Sequence, residues 1–156
     1  MEKFTFDRID RNILERIQLD GRISNANLAQ AVSLSESACL RRTRRLEDAG
    51  LISGYVGLVD QGQAGYPDDV FVQITLTSQQ QRDLAAFEEA VSQLPEVMEC
   101  YLMTGSRDYL LRVVCDGLKS YERFTRDQLA TLPGIRSIES SFALGRVKVA
   151  RVLPEG

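Results

Sequence analysis

Two short stretches carry residues whose types and spacing could do chemistry. The first is SESACLRRTRRLEDAG, from Ser35 to Gly50, in which Arg41, Arg42, Arg44 and Arg45 fall within about one and a half turns of a helix. Guanidinium groups so crowded suit phosphates, and an arginine near a helix start suits a base edge in the major groove of double-stranded DNA. The second is TGSRDY, from Thr104 to Tyr109. A glycine turn offers backbone N–H donors to an anionic group, and a neighbouring aspartate accepts from a cationic one. Other chemistries lack their usual groups. The chain has no histidine, the commonest general base and metal ligand. Cys39, Cys100 and Cys115 are odd in number and far apart, with no CxxC. That argues against a zinc site or a disulfide frame and for a reducing, cytoplasmic setting. We expect neither an enzyme nor a cofactor.

The elements around the arginines give them a purpose. Leu28, Ala29 and Val32 mark a short helix, Ser33-Leu34 a tight break, and Ser35 an N-cap whose hydroxyl can accept from a first-turn N–H. Gly50 suits the left-handed position just past a helix end. Two helices joined by such a turn, the second studded with arginine, form the pattern of a helix-turn-helix DNA reader. At about 100° per residue, Cys39, Thr43 and Leu46 share the inward face. Ser37, Arg41, Arg44 and Arg45 fall opposite, with Ala38 beside them. Arg42 lies near the buried edge and is expected to pair locally or to reach a flanking phosphate. Ser35, Ser37, Ala38 and Arg41 are assigned to base readout, Arg44 and Arg45 to phosphates. The plain alternative is a solvated helix whose arginines pair with Glu36, Glu47 and Asp48; the preceding helix and turn weigh against it.

At 156 residues the chain fits one domain or two small ones. No run of 18 apolar residues occurs, and MEKFTFDRIDRN lacks an apolar signal core, so neither a membrane span nor secretion is expected. The net charge of −3 looks wrong for a DNA binder. It divides unevenly: residues 1–60 hold nine basic and nine acidic groups, the remainder ten and thirteen. DNA binding depends on the local basic surface at 41–45, not on the total. Residues 1–53 read as a three-helix unit, with Asp7 and Ser24 as N-caps and Ile13, Ile17, Leu28, Val32, Cys39 and Leu46 as core. So small a unit buries limited apolar area and should lean on a neighbour or partner. Residues 54–68 read as a linker with a short extended segment, since DQGQAGYP collects glycine and proline.

Residues 69–156 alternate between strand and helix patterns. Val70–Thr77 reads as a strand with Val72, Ile74 and Leu76 on one face. A helix follows from near Ser78 to before Pro95. Val97–Thr104 and Tyr109–Cys115 make a hairpin, then a helix carries Leu118, Tyr121 and Phe124. One or two final strands run through Phe142 and Val147–Val152. The order βαββαβ is the ferredoxin-like arrangement, with both helices on one face of an antiparallel sheet. The other face needs cover, which sheet-on-sheet dimerisation would supply. The fold class is α+β.

A helix-turn-helix followed by a βαββαβ domain resembles the leucine-responsive/asparagine (Lrp/AsnC, or feast/famine) regulators. The resemblance spans nearly the whole chain. It rests on IDRNILERIQLDGRIS, on LAQAVSLSESACLRRTRRLEDAGLI and on PEVMECYLMTGSRDYLLRVV. It implies a winged-helix-like reader, an ACT-like (RAM) second domain and bacterial or archaeal transcription regulation. It also implies homodimers, rings of four dimers, and an amino-acid effector at the turn after the second strand. Three positions depart from the family pattern. Asn27 replaces an acidic residue, Ser35-Glu36-Ser37 lacks a proline, and Arg107 is bulky and cationic where the motif is smaller or acidic.

Carried onto this sequence, the family pattern points to Tyr101, Met103, Gly105, Asp108 and Tyr109 as the effector site. An ordinary hairpin turn, with Tyr101 and Tyr109 as core pairs, is the competing reading. Cys100 and Cys115 alternate with these residues and are expected to be buried apolar groups. Two other functions compete: an architectural DNA-binding protein without effector, and an enzyme or amino-acid-sensing regulatory subunit of an enzyme. The latter leaves the arginine helix unexplained.

Overall fold

Helix α1, Arg8–Leu19, begins where Asp7 and Asp10 satisfy each other's backbone N–H groups in a capping box. The computed structural model describes residues 5 and 7–154, so the start of the stretch read for a signal core lies outside the described residues. Helix α2, Asn25–Ala31, is capped by Ser24, whose hydroxyl accepts from the Asn27 N–H at 3.2 Å. Ser33 then turns the chain through a left-handed conformation, φ 57°. Helix α3, Glu36–Asp48, follows at once, and Gly50 ends it at φ 72°. The three helices close on Ile13, Leu28, Ala29, Val32, Cys39 and Leu46; Ile17 is only partly buried at the edge of this core.

The second unit is one four-stranded antiparallel sheet. Strands β1 (Asp68–Leu76), β2 (Val97–Leu102), β3 (Tyr109–Cys115) and β4 (Ile135–Phe142) lie in the order β2-β3-β1-β4. Helices α4 (Gln81–Val91) and α5 (Leu118–Asp127) complete the βαββαβ order. Val70, Val72, Ile74 and Leu76 alternate with Tyr109, Leu111 and Val113 beneath Phe87, Val91, Tyr121 and Phe124. Period-two alternation thus sets which face is buried.

Several local expectations are corrected. Val147–Val152 is not a strand: it pairs with neither β2 nor β4, the two edge strands of the sheet, so its alternating pattern stays without a ladder. Helix α4 begins at Gln81 rather than near Ser78, because the Ser78 hydroxyl accepts from the Gln80 N–H and holds the preceding turn. Cys115 is buried as expected, but Cys100 is exposed, because β2 is an edge strand. The chain divides into two compact units, Met1–Leu58 with Val147–Gly156, and Val59–Arg146.

Candidate nucleic-acid interface and effector turn

The reader is built from a cap, a face and an anchor. The Ser35 hydroxyl accepts from the Ala38 N–H at 3.3 Å and lies 3.3 Å from the Ser37 hydroxyl. This fixes the first turn of α3 and leaves Ser35 and Ser37 exposed, with Ala38 half-buried. Cys39 and Leu46 face the core. Arg41 and Arg44 project outward and form no ion pair among the described residues. Ser35, Ser37, Ala38, Arg41 and Arg44 therefore share one accessible side of a single short helix.

The other two arginines go elsewhere. Arg42 Nη1 donates to Asp10 Oδ1 at 2.8 Å and to Asp7 Oδ2 at 2.9 Å; its place at the buried edge of the wheel turns it inward, but its partners lie at the start of α1 and are not local in sequence. Arg45 Nη2 also donates to Asp10, at Oδ2. The N–H of Asp10, then Arg42, hold the Asp7 carboxyl below its usual range. Sequence reading did not find Asp10 as a fully buried charge, 0% exposed. The signal for it was the Asp7-x-x-Asp10 spacing, a capping box written with two aspartates. Behind the reader, the Tyr55 hydroxyl donates to Glu47 Oε1 at 2.8 Å. Burial and that carboxylate push the Tyr55 phenol up to about 12.

The turn between β2 and β3 is closed by the Met103 N–H on the Asp108 carbonyl at 2.8 Å. Gly105 sits at φ 109°, where a side chain would be strained. The sequence-read effector residues divide between two faces. Tyr101 pairs with Leu110 across the open face of the sheet and is exposed, and Met103 is also exposed. Tyr109 instead points into the core, 4.6 Å from Phe87 between ring centroids, and its hydroxyl donates to Glu88 Oε1 at 2.7 Å. Asp108 is likewise turned inward. Its Oδ2 accepts from the Leu76 N–H and its Oδ1 from Gln79 Nε2, both at 2.7 Å. Tyr101, Met103 and Gly105 thus share an accessible surface, while Asp108 and Tyr109 hold the turn from within. Arg107, the departure from the family pattern, reaches Glu139 Oε2 of β4 at 2.5 Å and spans the open face.

That open face also carries a charged cluster. Arg112 donates to Asp69 Oδ1 at 2.9 Å and to Glu99 Oε1 at 2.8 Å, and Arg146 donates to Asp69 Oδ2 at 2.8 Å. Burial alone would raise the Asp69 carboxyl, but Arg146 and Arg112 outweigh it and hold it low. The Tyr101 hydroxyl and Arg112 do the same for Glu99.

The two units match two family models. Residues 6–53 match a winged helix-turn-helix DNA-binding model, and residues 69–153 match the Lrp/AsnC ligand-binding domain. The chain belongs to the Lrp/AsnC family. Its Lrp/AsnC relatives cover nearly its full length. The Bkd operon transcriptional regulator of Pseudomonas aeruginosa is 43% identical over 95% of this chain and 97% of its own. The leucine-responsive regulatory protein of Klebsiella pneumoniae is 40% identical over 91% of this chain and 87% of its own. Among solved structures, a transcriptional regulator of Neisseria meningitidis in complex with L-Met superposes with a TM-score of 0.91. It is 33% identical and covers 96% of this chain and 97% of its own. AsnC of E. coli superposes at 0.87, with 26% identity over 94% and 97% of the two chains. This Lrp/AsnC chain is a DNA-binding transcriptional regulator with an amino-acid-binding domain. No helix among its described residues is long and apolar enough to cross a membrane.

Proposed function

We propose that the protein reads double-stranded DNA through Ser35, Ser37, Ala38 and Arg41, grips phosphate through Arg44, and changes its hold when an amino acid occupies the turn at 103–108. The observation that carries this reading is the outward side of α3, where Arg41 and Arg44 stand exposed beside a Ser35-capped first turn. The N-terminal part of such a helix meets base edges in this class of reader. Binding by Arg41→Ala to a site selected from random duplexes should fall by about 1–3 kcal/mol and lose discrimination at one position, while Arg44→Ala should weaken all sequences alike. Equal losses on every sequence for both would remove the readout assignment.

The effector contacts proposed are Tyr101, Met103 and the backbone at Gly105, with Asp108 and Tyr109 shaping the turn. The N–H groups of Gly105, Ser106 and Arg107 have no hydrogen-bond partner among the described residues, so they are open to a carboxylate. The neisserial relative bound to L-Met supports an amino acid as ligand. Thermal melts with each of the twenty amino acids test it. An architectural protein would show no shift with any of them.

Assembly as a homodimer, and as four dimers, is supported by apolar surface left uncovered in the single chain. Val56 is 86% exposed and Val147 102%, and Phe71 and Tyr101 stand on the open sheet face. Light scattering on the full chain gives the subunit count; a monomer at micromolar concentration would end this part of the reading. Cytoplasmic residence and the absence of catalysis follow from the same reading.

A further inference from the structure

Two of the four guanidinium groups on α3 are turned back onto one carboxylate. Asp10 accepts from Arg42 at Oδ1, and from Arg45 and the Asp7 N–H at Oδ2. Asp7 places a second carboxylate on Arg42 at 2.9 Å. These four side chains carry no net charge as a group. Asp10 is fully enclosed, and an enclosed carboxylate persists only where donors surround it. Letting either guanidinium swing out to a phosphate would strip one of its oxygens of a charged donor. Arg41 and Arg44 face no such restraint.

We propose that Asp10 is a specificity-determining residue of the reader, which withholds Arg42 and Arg45 from DNA phosphates and leaves Arg41 and Arg44 as the DNA-facing charges. The proposal rests on the reading of α3 as the DNA-contacting helix. Sequence-independent affinity grows with each phosphate contact, and log K falls with log salt by about 0.9 per contact. Specificity is the ratio of specific to non-specific binding. A helix that displays four arginines but commits two of them internally keeps its shape for base readout and lowers its attraction to arbitrary DNA. The same clamp joins the start of α1 to the middle of α3, so Asp10 also fixes the roll of the reader helix about its axis.

The test measures binding of the full-length protein to a mixed-sequence duplex by fluorescence anisotropy, between about 50 and 200 mM salt. Arg44→Gln should flatten the salt slope by about 0.9, and Arg45→Gln should leave it close to that of the parent protein. Asp10→Asn should steepen it, each released arginine making the loss of affinity across that range about threefold larger. Circular dichroism establishes that Asp10→Asn is folded. If it is not, the Arg44 and Arg45 variants decide once circular dichroism shows them folded, since both keep the Asp10 carboxylate and glutamine at position 45 retains an N–H donor for it. Equal flattening by Arg45→Gln and Arg44→Gln overturns the proposal, as does a folded Asp10→Asn with an unchanged slope. No effect from Arg44→Gln would instead remove the underlying reading of α3.

Discussion

Asp108 Oδ1 accepts a hydrogen bond from Gln79 Nε2 at 2.7 Å, joining the hairpin turn to the segment between β1 and α4. The other oxygen serves the Leu76 N–H at the end of β1. This carboxylate, 7% exposed, is thus a brace beneath the effector turn. Asp108→Ala leaves the Leu76 N–H buried without an acceptor, which costs about 1–3 kcal/mol. Urea melts should show a lower midpoint for Asp108→Ala, with Asp108→Asn falling between it and the parent.

The two tyrosines flanking the turn should behave differently. Tyr109→Phe removes a buried hydroxyl from Glu88 and lowers stability by about 1 kcal/mol, with little change in ligand response. Met103→Ala alters an exposed side chain and Tyr101→Ala loses only a surface hydrogen bond to Glu99, so stability should change less than in Tyr109→Phe while the amino-acid-induced rise in melting temperature shrinks. Paired melts with and without amino acid separate the two. A ligand response lost in Tyr109→Phe and kept in Tyr101→Ala would reverse the division of roles.

Stability should fall at the acid end through Asp69 and Glu99. Both carboxyls are held low in the fold, so each contributes stability that is present above its unfolded value and lost as pH drops through its folded value. The loss therefore begins near pH 4, where free carboxyls protonate, and continues below it. Urea midpoints from pH 7 to 3 record this limb. Asp69→Asn should flatten it, at the cost of lower stability at pH 7.

Glycine is required at two turns for backbone reasons alone. Gly50 at φ 72° and Gly105 at φ 109° have no atom within 4 Å of where a side chain would begin. Alanine at either site should cost about 1–2 kcal/mol from conformation, without any clash. Equal melting of Gly50→Ala and the parent would show that the helix end adapts instead.

Most of the architecture was legible because its signals are local. Asp7, Ser24 and Ser35 stand at helix starts, and the alternation of Val70, Val72, Ile74 and Leu76 marks a buried strand face. The outward side of α3 followed from helical periodicity, and so did the inward drift of Arg42. What escaped was long-range. Asp10 and Arg45 are 35 residues apart, and no spacing rule brings a carboxylate and a guanidinium together over that distance. The inward turn of Asp108 depends on Gln79 and Leu76, which belong to another strand connection. Val147 to Val152 alternates as a strand does, but pattern describes a face and cannot provide a neighbour to pair with.

The sheet order β2-β3-β1-β4 sets a timetable for synthesis. Strand β1 is central, yet Val70 pairs with Phe142, near the far end of the sheet unit. The helical core from Ile13 to Leu46 is complete in sequence long before that strand emerges. On a ribosome the reader can therefore fold first, while β1 waits for β3 and then β4. Loop closure over such separations makes the sheet the slower step. Newly made chains pass through an interval in which a folded reader precedes a sheet whose central strand is still unpaired, and in that interval they are most exposed to aggregation.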